Sequence, residues 1–305
     1  MTEAGHVPAT PRRLSRGEWI AVLKRTFAEF MADDSMGLAQ QVAYSSLLAF
    51  FPAVVALIGL LDLINAYGTL QSFLNPVAPK AVTSLIQSFQ KDSGGSGSVV
   101  AFVVGLAGAI WAASGAMGSI VKSVNRAYDR LETRPFWKVR LVSIVLVVAS
   151  GIVTAGMLLL VVLGGTLGHA IAHEAHLGGA FTWAWNLARW PIAFLAVLLF
   201  FALIYYLAPN LDQRRWQWVT PGSVVGGLMW VALSGLFALY TAFSNSYTKT
   251  YGALAGGIVL LLWLNYTAWA ILFGAELNAE LDRQADIHAA GGPHAGLVKP
   301  ARRRR

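Results

Sequence analysis

The chain has 305 residues, of which 56% are hydrophobic and only 12% carry a charge. Soluble domains usually carry about 25% charged residues, so this composition excludes an ordinary water-soluble domain. The formal net charge is +8, and the absence of cysteine excludes disulfide bonds and thiolate catalysis. The basic residues occur in a few short segments, a distribution typical of a membrane topology signal and not of a nucleic-acid-binding surface.

The N-terminal region combines a polar segment with an amphipathic one. Residues 1–15 are polar and contain prolines and arginines, which predicts a disordered segment. Residues 1–35 contain no apolar core with a small-residue cleavage site, so we expect no cleavable signal peptide. Residues 16–31 place apolar side chains at helical spacing among three basic residues. This pattern predicts an amphipathic helix, either lying on the membrane surface or packed on the protein itself.

Six long apolar stretches follow, each able to cross a membrane. About 20 residues at a rise of about 1.5 Å cover a hydrocarbon core of about 30 Å, and in lipid such a segment must be helical to pair its backbone amides. The predicted spans are residues 37–64, 99–121, 141–167, 187–208, 220–243 and 253–277. The predicted fold class is therefore all-α, a polytopic membrane protein with six transmembrane helices plus amphipathic helices. One membrane domain covers residues 16–280, and residues 281–305 form a basic tail.

The connections between the spans predict the orientation of the chain. Residues 65–98 read as an external loop with a short amphipathic helix, and a loop of His, Gly and Trp continues to about residue 186. Pro52 and Pro191 predict kinks within their spans. Of the 23 Lys and Arg, one side of the six-span arrangement holds only Lys80, Lys91, Arg189 and Lys249. The positive-inside rule therefore predicts that both termini lie in the cytoplasm.

Three histidines form the one pattern that could bind a metal. His169, His173 and His176 are separated by four and three residues, which would place them on one face of a helix in reach of a zinc ion. Their segment is rich in glycine, and no fourth ligand is evident. We therefore predict neither a metal site nor a cofactor, and keep the three histidines as a weak candidate.

The sequence lacks the motifs of the common hydrolases and ATP-driven pumps. We find no Walker A sequence, no HExxH and no GxSxG. The basic loop over residues 122–140 and the terminal Arg302–Arg305 could contact RNA phosphates. We favour the topology signal together with attraction to anionic lipid headgroups, so we predict no enzyme and no nucleic-acid partner.

Polar residues inside the spans are the most informative feature. Gln41, Tyr44 and Ser45 lie in the first span, and Asn265 and Glu276 lie nearly in line on the sixth. Such groups either bond neighbouring helices together or line a substrate path. The Gly222/Gly226 and Gly252/Gly256 pairs favour close helix packing within the chain, with a homo-oligomer interface as the alternative.

Several short motifs in a fixed order resemble those of a known family. They are Ala43–Tyr44 with Phe51–Pro52, Asn125–Tyr128, Arg134–Lys138, Pro209–Asn210, Pro221–Gly222, Tyr251–Gly252, Trp263 and Gly274–Asn278. Over roughly residues 20–280 the chain resembles the YihY/BrkB family of bacterial inner-membrane proteins, also labelled ribonuclease BN-like. The resemblance implies six helices with cytoplasmic termini and a virulence-associated role in serum resistance or envelope lipid transport. It implies no catalytic residues.

These observations lead to three hypotheses of function. We favour an inner-membrane transporter or flippase-like protein for a lipid or amphiphilic envelope solute, not driven by ATP. The alternative is a structural or assembly protein of the cell envelope, and the least favoured is a membrane-bound ribonuclease. Residues predicted to lie on a substrate path are Gln41, Tyr44, Ser45, Asn125, Arg126, Arg134, Asn210, Tyr251, Asn265 and Glu276.

Overall fold

The computed structural model describes residues 14–63, 96–158, 160, 164–174, 176, 178–211, 216–243 and 254–289. These ranges contain helices α1 (Arg16–Ala32), α2 (Ser35–Leu63), α3 (Ser96–Ala127), α4 (Phe136–Leu158), α5 (Gly164–Glu174), α6 (Gly179–Leu207), α7 (Pro221–Phe243) and α8 (Leu254–Ala289). The described residues form no strand, which confirms the predicted all-α class. The N-terminal segment up to residue 13, most of the predicted external loop, and the tail beyond residue 289 lie outside the described residues.

Six of the helices are long and apolar enough to cross a membrane, which confirms the predicted number of spans. Their apolar segments are Ser35–Ala56, Phe102–Ala127, Phe136–Met157, Gly179–Leu207, Pro221–Tyr240 and Gly256–Ala285. Large apolar side chains such as Leu48, Trp111 and Leu236 lie exposed on their outer surfaces. Lipid tails accommodate such a surface, whereas water would make it an aggregation site.

The helix boundaries around the third and fourth spans differ from the predicted ones. The helix of the third span ends at Leu158, and the short helix α5 follows it as a separate element. The Trp185 indole of α6 donates to the Gly164 carbonyl over 2.6 Å, and a Cβ at Gly168 would collide with the same ring. The glycines that suggested a loop thus allow close helix contact, and most of the segment predicted as a loop up to residue 186 is helical.

The last helix continues well beyond its predicted end. The sixth span was expected to end at residue 277, but α8 continues to Ala289. The polar residues that suggested a tail form hydrogen bonds to α1, so packing stabilises helix where hydropathy alone predicts none. Helices α2 and α6 also continue through Pro52 and Pro191.

Helix α1 begins with a capping box and packs on α8 with one face. The Ser15 backbone donates to Glu18 over 2.7 Å, and the Glu18 backbone donates to the Ser15 hydroxyl over 3.3 Å. Val22 is fully buried with Leu277 and Leu281 of α8. On the outer face, apolar side chains are exposed: Ile20, Leu23, Phe27 and Met31. The predicted amphipathic helix is confirmed, and its inner face packs on the protein.

Glycines permit close helix packing at two crossings. At the α2–α3 crossing, a Cβ at Gly105 would lie 2.7 Å from the Ala56 backbone nitrogen. At the α7–α8 crossing, Cβ atoms at Gly222 and Gly274 would each collide with the other's carbonyl oxygen. Gly226 also packs closely on α8, because a Cβ at this position would lie only 2.8 Å from the Ala270 carbonyl oxygen. The Gly222/Gly226 pair therefore packs within the chain, as expected for small residues between membrane helices.

The buried core lies towards one end of the bundle, hereafter the basic end, where the α3–α4 and α6–α7 connections meet the C-terminal half of α8. Its buried residues come from six helices and include Phe30, Val42, Val121, Leu146, Ile204 and Leu272. The basic residues of the α3–α4 segment, from Lys122 to Arg140, lie at the same end. Helix packing thus brings most of the buried polar groups described below to the basic end.

Candidate functional site

Three buried polar atoms without a hydrogen-bond partner lie along α8. They are Asn265 Oδ1, Trp269 Nε1 and Glu276 Oε1, and we call this set the polar stripe. The spacings of four and seven residues place all three side chains on one face of the helix. Among the described residues, only Arg140 and Arg189 also bury an unpartnered side-chain nitrogen, so the polar stripe is the main concentration of such atoms.

The polar stripe lies on roughly the opposite side of α8 from α7. The α7 side is satisfied: the Trp263 indole donates to the Ser234 hydroxyl over 3.1 Å, and the Trp230 indole donates to Thr267 over the same distance. Asn265 follows Trp263 by two residues, which is a rotation of about 200° on a helix. On its other sides α8 contacts α1, α2 and α3, so the polar stripe faces the interior of the bundle.

Beyond Glu276, buried polar residues continue at every fourth position towards the basic end. Glu276, Glu280 and Gln284 are 2%, 1% and 0% exposed. Arg25 of α1 donates to the Glu280 carboxylate over 2.9 Å and to the Gln284 carbonyl oxygen over 2.9 Å. Arg283 also donates to Glu280. Glu280 and Gln284 are therefore paired across the α1–α8 contact, in contrast to the Glu276 oxygen one turn earlier.

A second polar cluster joins the α3–α4 connection to the end of α6. We call it the loop clamp and define it by Asn125, Glu132, Arg134 and Asn210. Arg134 donates to Glu132 over 2.6 Å, to the Ala208 carbonyl over 2.7 Å and to the Leu207 carbonyl over 3.2 Å. These carbonyls end α6 and lack partners within the helix, and a cation there also interacts favourably with the helix dipole.

The remaining members of the loop clamp complete its hydrogen bonding. Buried Asn125 donates to Glu132 over 2.7 Å and accepts from the Asn210 backbone over 2.7 Å. The Asn210 side chain donates to Thr133 over 2.8 Å. Partial burial opposes the ionisation of Glu132, but the hydrogen bonds and charge of Arg134 outweigh it, so the pKa of Glu132 lies below its ordinary value. The loop clamp is a paired network that fixes two connections to each other.

The residues predicted to lie on a substrate path separate into groups in the structure. Asn265 and Glu276 belong to the polar stripe, and Asn125, Arg134 and Asn210 belong to the loop clamp. On α2, Gln41 and Tyr44 are exposed and Ser45 is half-buried. The exposed Arg126 lies 3.9 Å from the Asp33 carboxylate. Tyr251 lies outside the described residues.

The histidine candidate gains no support from the geometry. His173 lies near the end of α5 and His176 follows it, and both side chains are exposed. The His169 side chain lies outside the described part of the structure. Within that part, no three His, Cys, Asp or Glu side chains form a group that could hold a metal ion.

Several structurally important residues were missed from the sequence. No role was predicted for Trp269 or Glu280, and Gln284 was assigned to the tail. A signal was present, because Glu276, Glu280 and Gln284 recur at intervals of four and so share a helix face. Arg25 offered no comparable signal, since its partners lie more than 250 positions away in the chain.

Comparisons with known proteins agree with the geometry of a membrane bundle. The family model described as "Virulence factor BrkB" matches residues 26–297. The "Putative ribonuclease-like protein YfkH" of Bacillus subtilis is 31% identical, over 88% of this chain and 98% of its own length. No solved structure matches the chain.

Other relatives carry names that record a membrane protein and nothing further. A "UPF0761 membrane protein" of Alteromonas mediterranea is 26% identical, over 80% of this chain and 81% of its own length. One of Rhodospirillum centenum is 25% identical over 86% of this chain, but the matched region spans only 57% of that longer protein. The family model and the Bacillus relative both cover most of the chain, and the chain therefore belongs to the BrkB family of multi-pass membrane proteins.

Proposed function

We propose that the protein moves a lipid or another amphiphilic envelope solute across the bacterial inner membrane without hydrolysing ATP. The observation that carries the proposal is the polar stripe of α8, where Asn265, Trp269 and Glu276 each bury an unpartnered polar atom. Because an unsatisfied polar group at membrane depth is costly, such groups are typical of sites that bind or conduct a polar species.

The chemistry of the polar stripe suits the headgroup of an amphiphile. An amide oxygen and a carboxyl oxygen accept hydrogen bonds, and an indole nitrogen donates one. Acyl chains can stay in contact with the apolar outer surface of the spans while the headgroup passes the polar stripe. Asn265 and Glu276 are separated by about 16 Å along the helix, roughly half of a hydrocarbon core.

The proposed orientation places the basic end in the cytoplasm. The segment between Lys122 and Arg140 carries six Lys or Arg against two acids, which suits the cytoplasmic side. Reporter fusions test this topology. We expect a cytoplasmic signal after Arg140, after Arg215 and at Arg305, and an external signal near Gly95, Gly178 and Thr248. A cytoplasmic signal near Gly178 would contradict the arrangement.

A structural or assembly role is the second candidate, and the loop clamp favours it. Asn125, Arg134 and Asn210 were predicted to line a path, yet their hydrogen bonds are made within the protein. If the groups of the polar stripe were likewise paired in the membrane, the protein would need no substrate to satisfy them. Lipid exchange by the Asn265→Leu variant separates the transport role from the structural role.

A ribonuclease activity is the least favoured candidate, although the name of the Bacillus relative points to it. The family is not a known enzyme family, and the described acids and histidines form no metal-binding group. Highly purified protein should not cleave tRNA precursors with any divalent metal. Cleavage that disappears on His169→Ala or His173→Ala would contradict the proposal.

The direct test is lipid movement in reconstituted vesicles. Wild-type protein should accelerate exchange of a labelled anionic phospholipid between leaflets, measured as fluorescence lost to a membrane-impermeant quencher. Asn265→Leu should abolish the acceleration, whereas Thr267→Val, on the α7 side of the same helix, should retain it. Equal activity of Asn265→Leu and wild type would refute a role for the polar stripe in transport.

A further inference from the structure

Glu276 differs in its surroundings from Glu280, the other acid of α8 that the structure describes as buried. Its side chain is 2% exposed, and its Oε1 has no hydrogen-bond donor. Glu280, one turn away, receives hydrogen bonds from Arg25 and Arg283. An acid that is buried this completely and lacks a donor at one oxygen is unusual in a folded protein.

Charged groups from three elements face Glu276, and most of them are acids. Glu29 of α1, Asp33 of the α1–α2 turn and Glu280 of α8 act on it electrostatically, and Arg283 is the opposing cation. Tyr128, which directly follows α3, also interacts with it electrostatically.

The nearby cations have partners of their own. Arg283 binds Glu280 and also donates to Asp129 over 2.6 Å, and Arg25 binds Glu280 and Gln284. Asp33 lies 3.9 Å from Arg126. Each of these arginines is therefore bound to another carboxylate, and Glu276 has little compensation for a negative charge of its own.

We propose that the Glu276 carboxyl is a proton-binding site at the basic end of the polar stripe, and that its occupancy controls how tightly α1 packs on α8. The chemistry is the formation and loss of one O–H bond, with the proton taken from and returned to water on the basic side. Proton binding stands on the geometry alone. The further step, that protons couple to solute movement, rests on the proposed function.

The position of α1 explains how proton binding at Glu276 would change helix packing. Arg25 attaches α1 to Glu280 and Gln284, while Val22 packs on α8 beside them. An ionised Glu276 repels Glu29 and Asp33, which belong to α1 and to the turn behind it. A neutral Glu276 removes this repulsion, so proton uptake closes α1 onto α8 and proton release loosens it.

Infrared spectroscopy of the purified full-length protein in lipid nanodiscs tests proton binding directly. We expect a neutral-carboxyl band that titrates apart from the exposed carboxyl groups, whose ordinary pKa values are about 4. Glu276→Gln should remove this band and Glu276→Asp should shift its frequency, whereas Glu174→Gln, at an exposed acid of α5, should leave it unchanged. Absence of a separate band in the wild type, or its persistence in Glu276→Gln, would overturn the proposal.

Thiol labelling tests the closure of α1, because the chain has no native cysteine. Thr26→Cys lies on the buried face of α1, and Ala28→Cys on its exposed face corrects for the pH dependence of the thiol itself. The corrected labelling rate should rise at least several-fold as Glu276 ionises, and should become independent of pH in Glu276→Gln. A pH-independent rate in the wild type would overturn the control of α1. A titrating band in a protein that moves no lipid would refute the transport function and leave proton binding standing.

Discussion

Replacing Asn265 by leucine separates a substrate path from simple helix packing. The two side chains have the same number and branching of heavy atoms, and the change removes a buried amide oxygen that has no partner in the structure. An unsatisfied buried polar group costs about 1–3 kcal/mol. Any interhelical bond made by the amide nitrogen averages only about 0.6 kcal/mol in membranes. We therefore expect the free energy of unfolding to stay unchanged or to rise by about 1–2 kcal/mol.

We expect Asn265→Leu to lose transport although its stability is kept or increased. Thermal unfolding of detergent-purified Asn265→Leu should match or exceed that of the wild type, while leaflet exchange in vesicles should be lost. A stability loss of more than about 2 kcal/mol would show that the amide bonds neighbouring helices, because this loss is typical of a broken buried network. That result would support the structural role and refute our reasoning about the polar stripe.

Thiol accessibility provides a readout that needs no substrate. Asn265→Cys should react with a small membrane-impermeant reagent applied from one side, and Leu261→Cys, one turn earlier, should react partially. Ala270→Cys should stay inert, because Ala270 is fully buried against Gly226 of α7. A thiol at position 265 that is inert from both sides would place the residue in packing and remove the main support for transport.

Three further predictions concern the stability of the bundle. Arg134→Lys should destabilise the protein by about 1–3 kcal/mol in thermal unfolding, since one ammonium cannot replace the guanidinium bonds to Glu132 and both α6 carbonyls; unchanged stability would contradict the loop clamp. Gly274→Ala should lower the free energy of unfolding by about 1–3 kcal/mol in the same assay, because the new Cβ collides with α7 and α6. Gly256→Ala should be neutral or stabilising, because no atom lies within contact distance of a Cβ at that position. Because its pKa is lowered in the folded state, ionised Glu132 contributes to the stability of the protein above the ordinary carboxyl pKa of about 4.3. This contribution is lost as the pH falls through the folded-state pKa. Glu132→Gln should therefore make the stability of the protein depend less on pH in the acid range.

The sequence determined the features that depend on local composition. Each span is recognisable because an apolar stretch of about 20 residues must form a helix in lipid whatever its neighbours are. The amphipathic helix α1 was predicted for a similar reason, since its apolar spacing lies within one short segment. Asn265 and Glu276 could be singled out because a polar residue in an apolar stretch is unusual in itself.

Only the tertiary structure decided which polar groups are paired. Asn125 and Asn210 lie 85 positions apart, and Arg25 and Gln284 lie 259 positions apart, so no local pattern joins them. The same long-range contacts extend α8 to Ala289 and bury residues that hydropathy assigns to a tail. A buried polar atom is satisfied or unsatisfied according to which helix packs beside it. For this reason the loop clamp and the polar stripe look alike in the sequence and differ only in the folded bundle.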